Sequence, residues 1–463
     1  MTPLCTDAQG QPMAAASQES ARRFDLAVDA YLGARVDTPA RLAALLDDDP
    51  SCVLGHCLEG YLHMLSSQRA GIGRAVEALR RADAAAARVA TVTARERSHL
   101  RALAAWARGD MRDAVQYWDA ALAAGPRDLV ALKVSQFVLS YLGESERMRD
   151  TVARVLPSWD LGMPGYGFVL GCDAYALEET GDYVSAEAQG RRAVDLNPSD
   201  IWAAHAVAHV TEMEGRVQEG VAWIASVSGH WVECNNFRLH LRWHEALFHL
   251  DLERHARVLE LYDREIRRES SDEYLDVANA VSLLWRLEQA GVDVGTRWHE
   301  LADRARGHVN DHALVFADLH YLMALAADAD AVAAFLASCA RFAATATGTE
   351  AAVMAQVGLP LARAIVAHRR GSYGEVVDLV EPVRRHIRRI GGSHAQRDLF
   401  DQLLIDAALR GRRLDLAAEL LAERTARRPH NIWGWKQYAT TLNALGASGA
   451  AAAHRRVEQL RNP

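Results

Sequence analysis

Lysine is nearly absent from this 463-residue chain: Lys133 and Lys436 are the only two among 52 basic side chains, so the other 50 are arginine. A bias spread so evenly reads as the mark of a GC-rich bacterial genome and of solvated helix faces, not of an arginine-dependent site. Positive charge is short overall as well. Sixty acidic residues leave a net charge of -8, so there is no basic excess to neutralise phosphates, and neither nucleic acid nor membrane is an expected partner. Cysteine is scarce and unpatterned. The six, at 5, 52, 57, 172, 234 and 339, form no CxxC, which excludes the common zinc and disulfide frameworks and fits a reducing cytoplasm. The opening MTPLCTDAQGQPMAAASQES lacks a basic start followed by an apolar core, and no apolar run approaches the roughly 20 residues a bilayer needs. Proline, with 12 residues, interrupts rarely, and strand-like alternation is missing.

What is present is helix. Half of the residues are hydrophobic, and they recur at i, i+3, i+4 and i+7 through AVSLLWRLEQAG and ALVFADLHYLMALAAD. Two segments carry the same punctuation: Gly109-Asp110, Ala114, Pro126 and Asp128, then Gly181-Asp182, Ala186, Pro198 and Asp200, with a degraded copy at Gly371-Ser372-Tyr373. This is a helix, a glycine turn, a second helix and a proline stop, spaced by about two periods of a 34-residue repeat. The expected fold is all-α, a tetratricopeptide-like right-handed helical-repeat solenoid with a concave inner pocket. Residues 1–20 read as a flexible N-terminal tail, 21–450 as one repeat domain with histidine-rich middle repeats at 199–326, and 451–463 as a C-terminal tail.

Histidines crowd those middle repeats. His205 and His209 in HAVAH recur one repeat later as His240 and His244 in HLRWH. Spacing of i, i+4 puts each pair on one helix face, and Glu212, three residues after His209, shares it. Chance gives roughly 0.7 such pairs for this histidine content, yet three occur, the third being His308 and His312. Neutral imidazole and carboxylate are ligands for a divalent transition metal such as zinc, iron or manganese. His205, His209, Glu212, His240 and His244 are the metal-ligand candidates, and Asp276 could close the shell, although HExxH is absent. In a metal-free pocket Glu212 and His244 would act as base and acid on a small polar molecule, with Trp202 and Trp243 as walls. A third reading makes the cluster a satisfied polar network that fixes the stacking register of a scaffold for a protein or peptide partner. His312, Phe316 and His320 continue the stripe on the next first helix, and His312 and His320 are further ligand-binding candidates. Ser393, Arg397 and Asp398 in GGSHAQRDLF form an anion-binding or helix-capping loop.

At these residues the chain resembles the tetratricopeptide repeat protein 38 family. The matching stretches are HAVAHVTEMEGRVQEGVAW, HLRWHEALFHL, LYDREI, LDVANAVSLLWRLEQAGV, NDHALVFADLHYLMAL, VGLPLARAI and GGSHAQRDLFDQLLIDAAL, and the resemblance runs over residues 25 to 440. It implies a helical-repeat fold and no settled activity. Its histidine motifs carry over onto His205, His209, Glu212, His240, His244, His312 and His320, with Asp276 beside them; Asn279 stands where relatives often have Asp.

Overall fold

The computed structural model describes residues 4–461. Its helices pair in succession into hairpins, among them Val53–Leu65 with Arg69–Ala86, Ala94–Ala107 with Met111–Ala124, and Tyr166–Glu179 with Tyr183–Leu196. The predicted punctuation is where the hairpins turn. Gly109 and Gly181 are left-handed. Ala114 and Ala186 are fully buried where a larger side chain would hold the helices apart. Asp128 and Asp200 cap the next helices, each accepting from a backbone N–H, of Ala131 and Ala203, at 3.0 Å. The protein is an all-α, tetratricopeptide-like solenoid.

The array does not leave an open concave groove, because later segments pack back against earlier ones. Thr349 N–H donates to the Gly109 carbonyl at 2.9 Å, Arg286 to the Ala395 carbonyl at 3.1 Å and His394 Nε2 to the Glu179 carbonyl at 2.9 Å. The GGSHAQRD stretch is the plug. Gly391 and Gly392 have φ of +92° and +80°, and a Cβ on Gly392 would sit 2.8 Å from the Phe316 ring, so two glycines are needed to thread the chain through the middle. Ser393 caps the helix His394–Arg410.

Three boundaries differ from the sequence reading. The N-terminal segment is not a loose tail from residue 4 on: Leu4–Thr6 and Pro12–Ala14 form a small hairpin, with Asp7 paired to Arg95 and Met13 buried. Its short strands carry too few residues for alternation to show. The C-terminal segment is the helix Ala450–Arg461, docked on Ile432–Ala444 through Ala453 and Val457. The helix Val315–Ala324 starts after His312, which takes a left-handed φ of +48°, so His312 and His320 do not share a helical stripe. The 21-residue helix Thr349–Arg369 has the length and composition of a membrane span, but 67% of its most apolar 18-residue stretch is buried inside the protein, as befits a core helix.

Candidate metal centre

Helices Ile201–Met213 and Phe237–Asp251 lie side by side and carry the two histidine pairs. Their i, i+4 spacing holds, and the repeat period brings the pairs face to face. His205, His209, His240 and His244 are all buried, and one nitrogen of each lies within 4.8 Å of the others. His205 Nε2 is 3.0 Å from His240 Nε2, which is 3.3 Å from His244 Nε2. A shell with metal–nitrogen bonds of about 2.0–2.1 Å requires neighbouring nitrogens roughly 3.0–3.4 Å apart, which is what these two contacts provide.

The outward nitrogens explain the orientation of the rings. His244 Nδ1 donates to Glu212 Oε2 at 2.9 Å, and His209 Nδ1 donates to Glu178 Oε2 at 3.2 Å. A carboxylate only accepts, so in both rings Nδ1 carries a proton, and in the neutral ring of His244 Nε2 is left with a lone pair. His209 Nε2 has no partner at all. The Asn279 amide faces His240 Nδ1, with Oδ1 at 3.3 Å and Nδ2 at 3.1 Å, and its orientation sets the tautomer of that ring. Burial and the neighbouring imidazoles push His205 and His240 well below the ordinary histidine range and His244 down to about 4. Those three rings are therefore neutral at pH 7, the form that binds metal. Burial also works against a charge on His209, but Glu178 outweighs it and raises the pKa. Glu212, pulled up by burial, is pulled down further by His244 and Arg428, to about 2.

The remaining sequence candidates separate. Glu212 stands behind His244, holding its far nitrogen, and does not complete the four-histidine group. Asp276 accepts from Asn236 Nδ2 at 2.7 Å and so ties the start of Phe237–Asp251 to the helix Tyr274–Gln289. Trp243 stacks on His240 and donates to Ser282. Trp202 lies edge-on to Tyr175 and under the Lys133 ammonium, 3.6 Å from the ring centre. Trp202, His205 and His240 border a cavity of about 50 Å³ closed by Gly392 and Ser393, room for one or two waters. His320 donates to the Phe316 carbonyl at 2.7 Å among aromatic rings, and burial lowers it to about 4. His312 lies in another cavity altogether. Arg397 pairs with Glu179 at 3.2 Å and lines a 430 Å³ cleft shared by seven arginines, Arg428 among them. Arg385, Arg388 and Arg427 are exposed while Arg424 and Arg428 are buried, and through Arg428 on Glu212 the cleft reaches a carboxylate behind the histidines, with Arg397 on Glu179 beside Glu178.

Glu178, Glu179 and Arg428 escaped the sequence reading. The signal for Glu178 was in the repeat itself: it precedes His209 by 31 residues as Glu212 precedes His244 by 32. Arg428 comes from more than 200 residues away, and no local pattern announces it.

Fold and centre together define a helical-repeat protein with a buried polyhistidine cluster. No family model matches the chain. Solved structures similar over most of its length include the human IFIT1 dimer with PPP-AAAA (13% identity, 89% of this chain and 91% of that one, TM-score 0.40) and the human IFIT1 dimer with m7Gppp-AAAA (14%, 89% and 90%, 0.37). The P58(IPK) TPR domain is a third (13%, 79% and 93%, 0.22). Identity and superposition are too low to carry chemistry from those proteins to this one.

Proposed function

We propose that His205, His209, His240 and His244 hold a divalent transition metal, and that the protein binds, and potentially transforms, a small polar ligand there. The observation that supports this reading is the buried convergence of ring nitrogens: His209 and His244 are committed as donors to Glu178 and Glu212, so their Nε2 atoms turn toward the other imidazoles, where that of His209 finds no partner. Such an arrangement is unfavourable without a cation between the rings. An imidazole set suits zinc or iron better than manganese, which favours oxygen donors. A bound metal would supply Lewis acidity and a water of lowered pKa. Glu178, Glu212 and Asn279 act through the histidines, orienting rings and raising their basicity. The arginine cleft over Glu179 and Arg428 suits an anionic group on the ligand.

Six unpaired cysteines are compatible with the cytoplasm, and the long ordered motifs support membership of the tetratricopeptide repeat protein 38 family. The second reading, a scaffold for a protein or peptide, is supported by the solenoid; against it, segment 391–398 fills the inner face where a peptide would lie. Metal content by inductively coupled plasma mass spectrometry tests the proposal. Near-stoichiometric transition metal in the wild type, lost in a His209→Ala/His244→Ala variant that remains helical, is the expected result. Protein that stays metal-free after reloading with zinc and ferrous iron sinks it.

A further inference from the structure

His312 lines a cavity of about 470 Å³, built from different parts of the chain than the histidine cluster. His312 Nδ1 donates to Asp318 Oδ2 at 3.0 Å, and Ser338 Oγ is 2.8 Å from His312 Nε2. Asp318 is buried beneath, while His312 and Ser338 line the cavity. The Phe342 ring, stacked 4.8 Å away, fixes the imidazole plane. Among the described residues His312 is one of five non-glycine positions with positive φ, and Ser67, another of them, lines the same cavity. Strained backbone of this kind persists where the surroundings over-determine it.

Ser338 departs from the commoner habit of the helix hydroxyls. Ser135, Thr180, Thr211, Ser282, Thr345, Thr425 and Thr441 all bond back to carbonyls of their own helices, the normal habit of such side chains. Ser338, in the helix Ala329–Thr345, turns outward instead, standing 2.8 Å from His312 Nε2 and 2.7 Å from Asn310 Oδ1, to which its hydroxyl donates in this amide orientation. Since the Asp318 carboxylate takes the Nδ1 proton, His312 Nε2 can accept one, and Ser338 has its single proton to give when the Asn310 amide is turned to present Nδ2, as a donor, to the hydroxyl. Burial raises the Asp318 carboxyl and the hydrogen bond from His312 lowers it, with a net rise. Nucleophile, base and orienting acid thus meet the geometric test for an activated serine.

The geometry points to Ser338, His312 and Asp318 as a nucleophilic triad that cleaves a small ester with an apolar acyl group and a negative charge. The apolar wall is Met64, Ile72, Trp106 and Phe342. Ser338 is mid-helix, so its own N–H is engaged and the oxyanion must be met by side chains. Arg341, one turn further along, lines the cavity and has no ion pair among the described residues; it supplies that charge or anchors the substrate. In the first half-reaction Ser338 Oγ bonds to the ester carbonyl carbon as His312 Nε2 takes the hydroxyl proton. The carbon–alkoxide bond then breaks, the alcohol leaves with that proton, and the acyl group stays on Oγ. Water adds in the same way, its proton passing to His312. The Oγ–acyl bond breaks, the carboxylic acid departs, and the proton returns to Oγ.

This inference does not rest on the metal reading, and its probe needs no metal. The full-length protein is treated with an alkyl fluorophosphonate, the adduct is located by peptide mass spectrometry, and hydrolysis of p-nitrophenyl butyrate is followed in parallel. One adduct per chain on Ser338 is expected, with hydrolysis lost in Ser338→Ala and labelling slowed at least about 100-fold in His312→Ala. If His312→Ala does not fold, Asp318→Asn makes the same comparison. A folded wild type with no adduct on Ser338 after exhaustive treatment overturns the proposal. So does labelling whose rate is unchanged in both His312→Ala and Asp318→Asn, which would show a reactive hydroxyl without a base.

Discussion

At the residue scale the most informative contacts are those one bond behind the histidines. Glu178 and Glu212 fix which nitrogen of His209 and His244 carries the proton, and removing either leaves the ring free to turn or change tautomer. Glu178→Gln and Glu212→Gln are expected to weaken metal binding by about 10–100-fold while leaving the helices intact; titration against a chelator of known affinity checks this. Glu350 supplies a separate prediction. Burial raises its carboxyl from 4.5 to about 8, although its Oε2 accepts from Val315 N–H at 2.7 Å. A folded-state pKa above the unfolded one means the folded protein holds the proton more tightly. The stabilisation is complete below pH 4.5 and is lost as pH rises through about 8. Glu350→Gln keeps an acceptor for Val315 and cannot ionise, so its melting temperature should fall less than that of the wild type between pH 5 and 8. Parallel curves would remove Glu350 from the account.

At the element scale the hairpins were legible and their closure was not. Gly109, Gly181, Pro126, Pro198 and the capping Asp128 and Asp200 are local signals, read correctly because each acts on its own neighbours. Gly143 belongs to the other kind. It ends the helix Leu129–Leu142 in a left-handed conformation, and a Cβ there would stand 2.2 Å from the Arg388 carbonyl of a segment far along the chain. Gly143→Ala should cost about 1–2 kcal/mol from backbone conformation alone, and displacing the Arg388 backbone adds to that. Urea denaturation gives the measurement; a loss under about 0.5 kcal/mol, the size of an ordinary surface change, would contradict the packing described.

At the scale of the whole molecule, a simple repeat array is a sum of neighbour contacts and can melt piecewise. Here Arg35 bridges to Glu233 and Arg428 to Glu212, and segment 391–398 touches the helices that carry Glu179, Arg286, Phe316 and Arg424, so distant repeats are tied together. Thermal unfolding followed by tryptophan signals and by far-ultraviolet circular dichroism is expected to give one coincident transition. Two separated transitions would mean that the closure contributes little.

The sequence by itself determined the helical class, the hairpin turns and the two histidine faces, because periodicity and caps operate within a few residues or one repeat. It also held the relation of Glu178 to His209, visible once the repeat is laid over itself. Only the tertiary structure decided that Glu212 sits behind a histidine, that Asp276 and His320 point elsewhere, that the concave side is filled, and that Ser338 meets His312. Those outcomes depend on how far the solenoid winds before its ends meet. That pitch is the accumulation of small rotations at every helix contact, and no single motif carries it.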